Sequence, residues 1–171
     1  SWDHLFNNSP VISIGDLAID PNNTNIIFAG TGEANSSSFS FPGNGIYKSF
    51  DAGNSWHHSG LTEASYIGRI IIDYSNSNTI FSAICGSLFS PGPYRGIYRS
   101  QDGGESWDRV LFVTDSTSAI DLIQHPTNPD ILYASMWERI RGLNYRRSGG
   151  PSSGIYQTTD GGNNWIELTN G

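Results

Sequence analysis

Asp16, Arg69 and Asp121 carry charges at matching points of a pattern that recurs through this 171-residue chain. Each stands just ahead of a short apolar run: Leu17-Ala18-Ile19, Ile70-Ile71-Ile72 and Leu122-Ile123. Two carboxylates flanking a bound sugar are the working parts of most glycoside hydrolases, and their separation sets the stereochemical outcome. Asp16 and Asp121 are therefore candidate catalytic acids, with Arg69 a candidate ligand-binding cation at the equivalent position between them. The same alternation of sign also fits an Asp–Arg–Asp ring of salt bridges, which would leave neither acid free. Glu33, in the turn Gly30-Thr31-Gly32-Glu33-Ala34-Asn35, is a third candidate. Its other reading is a turn residue accepting hydrogen bonds from backbone N–H groups.

A second concentration of chemistry lies in residues 136–147, MWERIRGLNYRR. Arg139, Arg141, Arg146 and Arg147 are four of the nine cations of an acidic chain. Trp137, Glu138 and Tyr145 stand among them. Guanidinium groups bind carboxylate or phosphate in a fork and stack on aromatic rings. The stretch reads as a rim that binds an anionic ligand or a glycan. Equally, Trp137 could anchor a loop whose arginines pair with local acids.

Three further acids, Asp51, Asp102 and Asp160, sit in copies of one motif, Ser/Thr-x-Asp-x-Gly-x-x-Trp. Its members are Ser49, Asp51, Gly53 and Trp56; Ser100, Asp102, Gly104 and Trp107; and Thr158, Asp160, Gly162 and Trp165. An Asp in such a turn accepts bonds from the N–H groups of the turn itself. The Gly supplies a backbone position suited to positive φ, and the Trp buries apolar area beside it. Three equivalent copies on three separate turns read as structural rather than as one site. The four histidines are scattered, and adjacent His57 and His58 point to opposite faces of a strand. The single cysteine, Cys85, follows Ile84 in an apolar run and reads as a small buried hydrophobe, with a reactive thiol as the other reading. No P-loop, Gly-x-Ser-x-Gly, Cys–His pair or metal-ligand spacing occurs, so no cofactor and no metal are expected.

These residues must be positioned by repeats. GIYKSFDAGNSW (45–56), GIYRSQDGGESW (96–107) and GIYQTTDGGNNW (154–165) align without gaps. They alternate with a second set at 14–29, 67–82 and 119–134. A period just over about 50 residues falls in the range of propeller blades. Each unit reads as four short strands joined by turns rich in Asp, Pro, Asn and Gly, and no sustained helical period occurs. The expected fold is all-β, a β-propeller segment of three four-stranded antiparallel blades. The expected limits are 11–61, 62–113 and 114–171, with residues 1–10 the last strand of a preceding blade. Ser1-Trp2-Asp3-His4-Leu5 repeats the register of Ser106-Trp107-Asp108-Arg109-Val110. The turns carrying the Asp motif fall on one end of the blades. The long loops 31–44, 86–95 and 135–153 fall on the other, either as a functional rim or as cover for the blade ends.

Composition narrows the partners. A formal net charge of −7 argues against nucleic acid and anionic membrane as default ligands. No apolar run approaches the roughly 20 residues that span a bilayer. The chain begins without Met and without a signal-peptide pattern, consistent with a mature or excised product. Three blades would expose two apolar faces, so the expected partners are further blades of a longer chain or other copies.

The repeated motif resembles the Asp-box, or BNR repeat, of sialidases, sortilin-type receptors, xyloglucanase-type glycosidases and photosystem assembly factors. Residues 30–35, 67–69, 119–122, 136–139 and 148–156 are most similar to large secreted bacterial proteins with sortilin-like or glycosidase-like propellers. That resemblance implies an extracellular or periplasmic location. It implies a binding module for a peptide or glycan or, alternatively, part of a glycoside hydrolase whose catalytic carboxylates are completed by other blades. A structural or assembly role is the third option. The sialidase pattern of an early Arg-Ile-Pro and a Tyr–Glu nucleophile pair is not met. Asp-boxes mark the architecture rather than an activity.

Overall fold

The computed structural model describes residues 3–6, 9–35, 37, 39–142 and 144–169. Ser1 and Trp2, the half-copy of the motif, lie outside the described residues. Three antiparallel sheets follow one another along the chain. The first holds β1 (Ile14–Ile19), β2 (Ile27–Thr31), β3 (Ile46–Ser49) and β4 (His57–His58) in that order. The second holds β5 (Ile67–Ile72), β6 (Ile80–Ile84), β7 (Gly96–Ser100) and β8 (Asp108–Leu111). The third holds β9 (Thr117–Gln124), β10 (Leu132–Arg141), β12 (Gly154–Thr158) and β13 (Ile166–Glu167), with β11 (Arg146–Ser148) added on the extended end of β10. This is the all-β, three-blade architecture that the repeats predict.

The core lies between blades rather than within them. Phe28 and Ile46 of the first blade pack on Ile67, Ile70, Ile72 and Ile80 of the second. Phe81, Ala83 and Ile97 of the second pack on Ala119, Leu122 and Leu132 of the third. Burying each large side chain of this kind contributes about 1.5–3 kcal/mol.

The first strands of neighbouring blades meet through one repeated irregularity. Pairing slips by a residue between Ile14 and Asp16, between Ile67 and Arg69, and at the matching point of β9, where Ala119 and Asp121 face Met136 and Ser135. The residue skipped is Gly15, Gly68 or Ile120. A Cβ built on Gly15 would lie 2.1 Å from the Ile67 carbonyl oxygen, and one on Gly68 2.6 Å from that of Ile120. The backbone of the first two bulges therefore abuts the next blade's first strand, and the two close approaches require glycine. The bulge also sets the direction of the residue that follows, which is Asp16, Arg69 or Asp121.

The Asp-boxes have one geometry three times. The Ser49 hydroxyl donates to Asp51 Oδ1 at 2.8 Å and accepts from Gly53 N–H at 2.8 Å. The Ser55 N–H and hydroxyl donate to the two carboxylate oxygens of Asp51. Ser100, Gly104 and Ser106 repeat this around Asp102, and Thr158, Gly162 and Asn164 around Asp160. Gly53, Gly104 and Gly162 have φ of 91°, 93° and 86°, as the turn requires.

The role expected for this turn was local; the structure adds a second one, between blades. Lys48 Nζ of β3 donates to the Gly103 carbonyl at 2.7 Å, and Arg99 Nη1 of β7 to the Gly161 carbonyl at 2.7 Å. Trp107 Nε1 donates back to the Ser59 carbonyl at 2.6 Å. Each blade thus reaches into the Asp-box of its successor. Residues 3–6 form no strand, yet Leu5 offers its carbonyl to Trp56 Nε1 at 3.1 Å as Ser59 does to Trp107. Leu5 and Ser59 stand three residues after Trp2 and Trp56, so the repeat register extends into this segment.

Candidate functional site

Asp16, Arg69 and Asp121 come together at the long-loop end of the three first strands. Arg69 Nε donates to Asp121 Oδ1 at 2.8 Å, and its Nη1 lies 3.6 Å from Asp16 Oδ1. The other Asp16 oxygen accepts the Ile70 N–H at 2.6 Å, and Asp121 accepts the Leu122 N–H at 2.9 Å. The hydrogen bond that Arg69 donates to Asp121 raises the Arg69 pKa against the opposing effect of burial, helped by the charges of Asp121 and Asp16. One guanidinium therefore neutralises both carboxylates. The space between the two acids is filled by Arg69, whereas a pair working as acid and base needs a substrate there. Such half-exposed pairs contribute about 0–1 kcal/mol each to stability.

Glu33 closes its own loop. Its Oε2 accepts the Phe41 N–H at 3.2 Å, while backbone bonds link Glu33 to Phe41 and Gly32 to Ser13.

The third long loop differs most from its expected form. Strand two of this blade was expected to end at Ala134; β10 instead runs on to Arg141 and turns back as β11. Arg139 pairs with Ser148, Ile140 with Arg147, and Arg141 with Arg146. A hairpin replaces the loop because Glu138, placed inside it, gathers the return strand. The Glu138 carboxylate accepts Arg147 Nη1 at 3.0 Å and the Ser152 hydroxyl at 2.8 Å, and the Ser152 N–H at 3.3 Å. These donors hold its pKa below the usual carboxylate value. Trp137 is half-buried, with the Arg139 guanidinium 4.5 Å above its ring. Tyr145, Arg146 and Arg147 are exposed, and Arg141 is half-buried at the tip. The hairpin thus presents aromatic and cationic groups on a braced two-stranded frame.

Arg95 does the bracing from beneath, and its role was not legible in the sequence. It is 0% exposed. Its guanidinium donates to the carbonyls of Ser87, Ser90, Ser116 and Arg139 and, at 2.6 Å, to the Ser118 hydroxyl. The Arg141 N–H donates to the Leu88 carbonyl at 3.0 Å. Loops 86–95 and 135–153 are therefore one unit. The only sequence signal for Arg95 is a cation at the position filled by Asn44 and Ser153, just before Gly-Ile-Tyr. Cys85 lies close by, buried, its thiol donating to the Ala119 carbonyl at 3.3 Å. Burial pushes that thiol up to about 12, so it holds its proton at neutral pH and does not act as a nucleophile.

A cavity of about 460 Å³ lies elsewhere, at the Asp-box end of the first blade, between residues 4–6 and Tyr47 and Trp56. Among the described residues, no group of three His, Cys, Asp or Glu side chains could hold a metal ion. Nor, among the described residues, is any helix long and apolar enough to cross a membrane.

Two solved structures share the fold. An ancestral GH74 enzyme aligns over 94% of this chain and 19% of its own, with a TM-score of 0.64 and 22% identity. The GH74 xyloglucanase from Xanthomonas campestris aligns over 90% of this chain and 22% of its own, with a TM-score of 0.62 and 16% identity. The chain thus spans about a fifth of the length of either. Among curated protein sequences none matches. Residues 44–171, covering the Asp-boxes, the buried Arg95 and the cationic hairpin, match the model of the family described as sortilin, neurotensin receptor 3. The chain belongs to the Sortilin-Vps10 family.

Proposed function

We propose that this segment is a binding module whose hairpin rim takes an anionic ligand, a peptide or a glycan, outside the cytoplasm. The observation that carries the reading is the braced hairpin itself. In a chain of net charge −7 it presents Arg141, Arg146 and Arg147 with Trp137 and Tyr145 on a frame fixed by Glu138 and Arg95, while Arg139 is buried against Trp137. Arginine forks suit carboxylate, sulfate or phosphate, and the aromatic rings suit a sugar face or a peptide backbone. Arg69, at the same end of the blades, extends the cationic character toward the first strands. Membership of the sortilin family supports binding rather than turnover.

The hydrolase reading draws on the likeness to GH74 propellers, which is a likeness of fold. It requires Asp16 or Asp121 to be released from Arg69 and a partner carboxylate to come from another blade. Titration with an acidic peptide and an acidic oligosaccharide tests the two readings. Arg146→Ala and Trp137→Ala each weaken binding about tenfold under the binding reading, comparable to losing about 1.4 kcal/mol. Undiminished binding in both variants, or hydrolysis lost on Asp121→Asn, rejects it.

A further inference from the structure

The register of the β10–β11 hairpin sorts its side chains onto two unlike faces. β12 pairs with β10 only as far as Met136, opposite Gly154. From Arg139 onward the partner on that edge is β11. Successive side chains of a strand point to opposite faces. Trp137, Arg139 and Arg141 therefore share one face, and Arg146, directly opposite Arg141, joins them. Glu138 and Ile140 share the other face with Arg147, which stands opposite Ile140. That second face is neutral, because Arg147 is paired with Glu138 at 3.0 Å. The first face is cationic, and Arg146 makes no ion pair among the described residues.

Side chains directly opposite in an antiparallel pair have Cβ atoms about 5 Å apart, and like charges there oppose the pairing. Arg141 and Arg146 hold such positions. Arg139, 5% exposed, adds a third guanidinium, seated over the Trp137 ring. Burial lowers the Arg139 pKa, and the charges of Arg146 and Arg141 lower it further, so the three cations act on one another. The frame holds them together against that repulsion. Arg95 donates to the Arg139 carbonyl, and the Arg141 N–H donates to the Leu88 carbonyl. Both bonds tie the hairpin to the second blade.

We propose, resting on the binding reading above, that this face takes a sulfated glycan, with a sulfate ester seated between Arg141 and Arg146. One guanidinium fork satisfies the two oxygens of a carboxylate. Two forks side by side exceed what a carboxylate accepts and suit a group with three terminal oxygens. An anion between them also relieves the repulsion that the register imposes. The face offers little apolar surface beside its charges: Arg139 covers one side of the Trp137 ring, and the β11 residue opposite Arg139 is Ser148. A peptide finds no apolar pocket for its side chains there, whereas a sulfated sugar chain presents hydroxyls and charge.

Calorimetric titration of the full chain with four probes is the test: a sulfated cello-oligosaccharide, a galacturonate oligosaccharide of equal charge, a sulfotyrosine peptide and sodium sulfate. The sulfated oligosaccharide is expected to bind at least about tenfold tighter than the galacturonate. Arg146→Ala, at an exposed position, abolishes that preference with the far-ultraviolet circular dichroism unchanged. Arg146→Lys keeps the charge without the fork, so it still binds but no longer prefers sulfate. Arg109→Ala, on the outer strand β8, removes one charge and leaves the preference intact. In the chain without ligand, Arg146→Glu raises the melting temperature by about 1 °C or more, since it turns a repulsive pair into an attractive one. A lower melting temperature removes the premise and overturns the proposal. Equal affinity for the galacturonate, or binding of the sulfotyrosine peptide or of sodium sulfate as tight as that of the sulfated oligosaccharide, overturns the proposal and leaves the binding reading standing. Failure of all four probes to bind overturns both.

Discussion

Asp51, Asp102 and Asp160 are ionised for a reason that has nothing to do with catalysis. Each accepts two hydroxyl or amide donors from neighbouring side chains and at least one backbone N–H. These bonds draw Asp51 and Asp160 down to about 2 from 3.8, and Asp102 lower still. A carboxylate with a depressed folded-state pKa binds fewer protons folded than unfolded. Its contribution is complete above the unfolded value near 4 and is lost as the pH falls through 2. The melting temperature is therefore expected to hold level from pH 7 to about pH 5 and to fall steeply from there toward pH 2. In Asp102→Asn the melt starts lower at pH 7 and falls less with acid. A slope unchanged by the substitution would show that the boxes do not carry the acid sensitivity. At this scale the sequence was informative where a motif recurs, since Ser49, Asp51 and Gly53 could be assigned their partners from turn chemistry alone. It was silent on Arg95, because a lone cation before a strand reads as solvated until the chain folds four carbonyls around it.

Among the elements, the bulged first strand matters most to the candidate site. It turns Asp16, Arg69 and Asp121 toward one another and brings Gly68 against the Ile120 carbonyl. Gly68→Ala would force backbone apart rather than move a flexible side chain. A loss of about 1–3 kcal/mol is expected, the usual cost of overpacking, read as a lower denaturant midpoint. The Asp–Arg–Asp contact was one of two arrangements the sequence allowed, because strand period and repeat register put the three residues at equivalent points. The bulge itself was hidden, since Ile120 occupies the glycine position in the third copy. The β10–β11 hairpin was hidden for a different reason. In the first two blades, strand two ends at Thr31 and Ile84, and copying that template onto the third stops it short. What prolongs β10 is a buried acid, Glu138, and a sequence pattern gives no reason to place an acid inside.

As a whole the molecule is a one-dimensional stack in which each blade touches only its neighbours, and stability of such arrays divides into units and junctions. The middle blade has two junctions and the outer blades one each. Every residue of β6 is buried, whereas β4 and β13 are exposed throughout. Hydrogen exchange should therefore be slowest in β5, β6 and β7 and faster in β3, β4, β12 and β13, with the outer blades opening before the centre. Uniform protection across the three blades would contradict this.

The reach of Lys48 and Arg99 into the following turn bears on how such a chain changes over time. The donor belongs to one blade and the acceptor to the next, and the acceptor is a main-chain carbonyl, Gly103 or Gly161. A backbone oxygen survives any substitution that keeps the turn. A copy of the first or second blade therefore arrives with a donor for whatever follows it, whereas Gln157 at the same position of the third blade donates to Tyr133 of its own blade. Side chains of the turn that do not build it are free to drift, and the number of blades can grow without a new lock having to be invented at each joint.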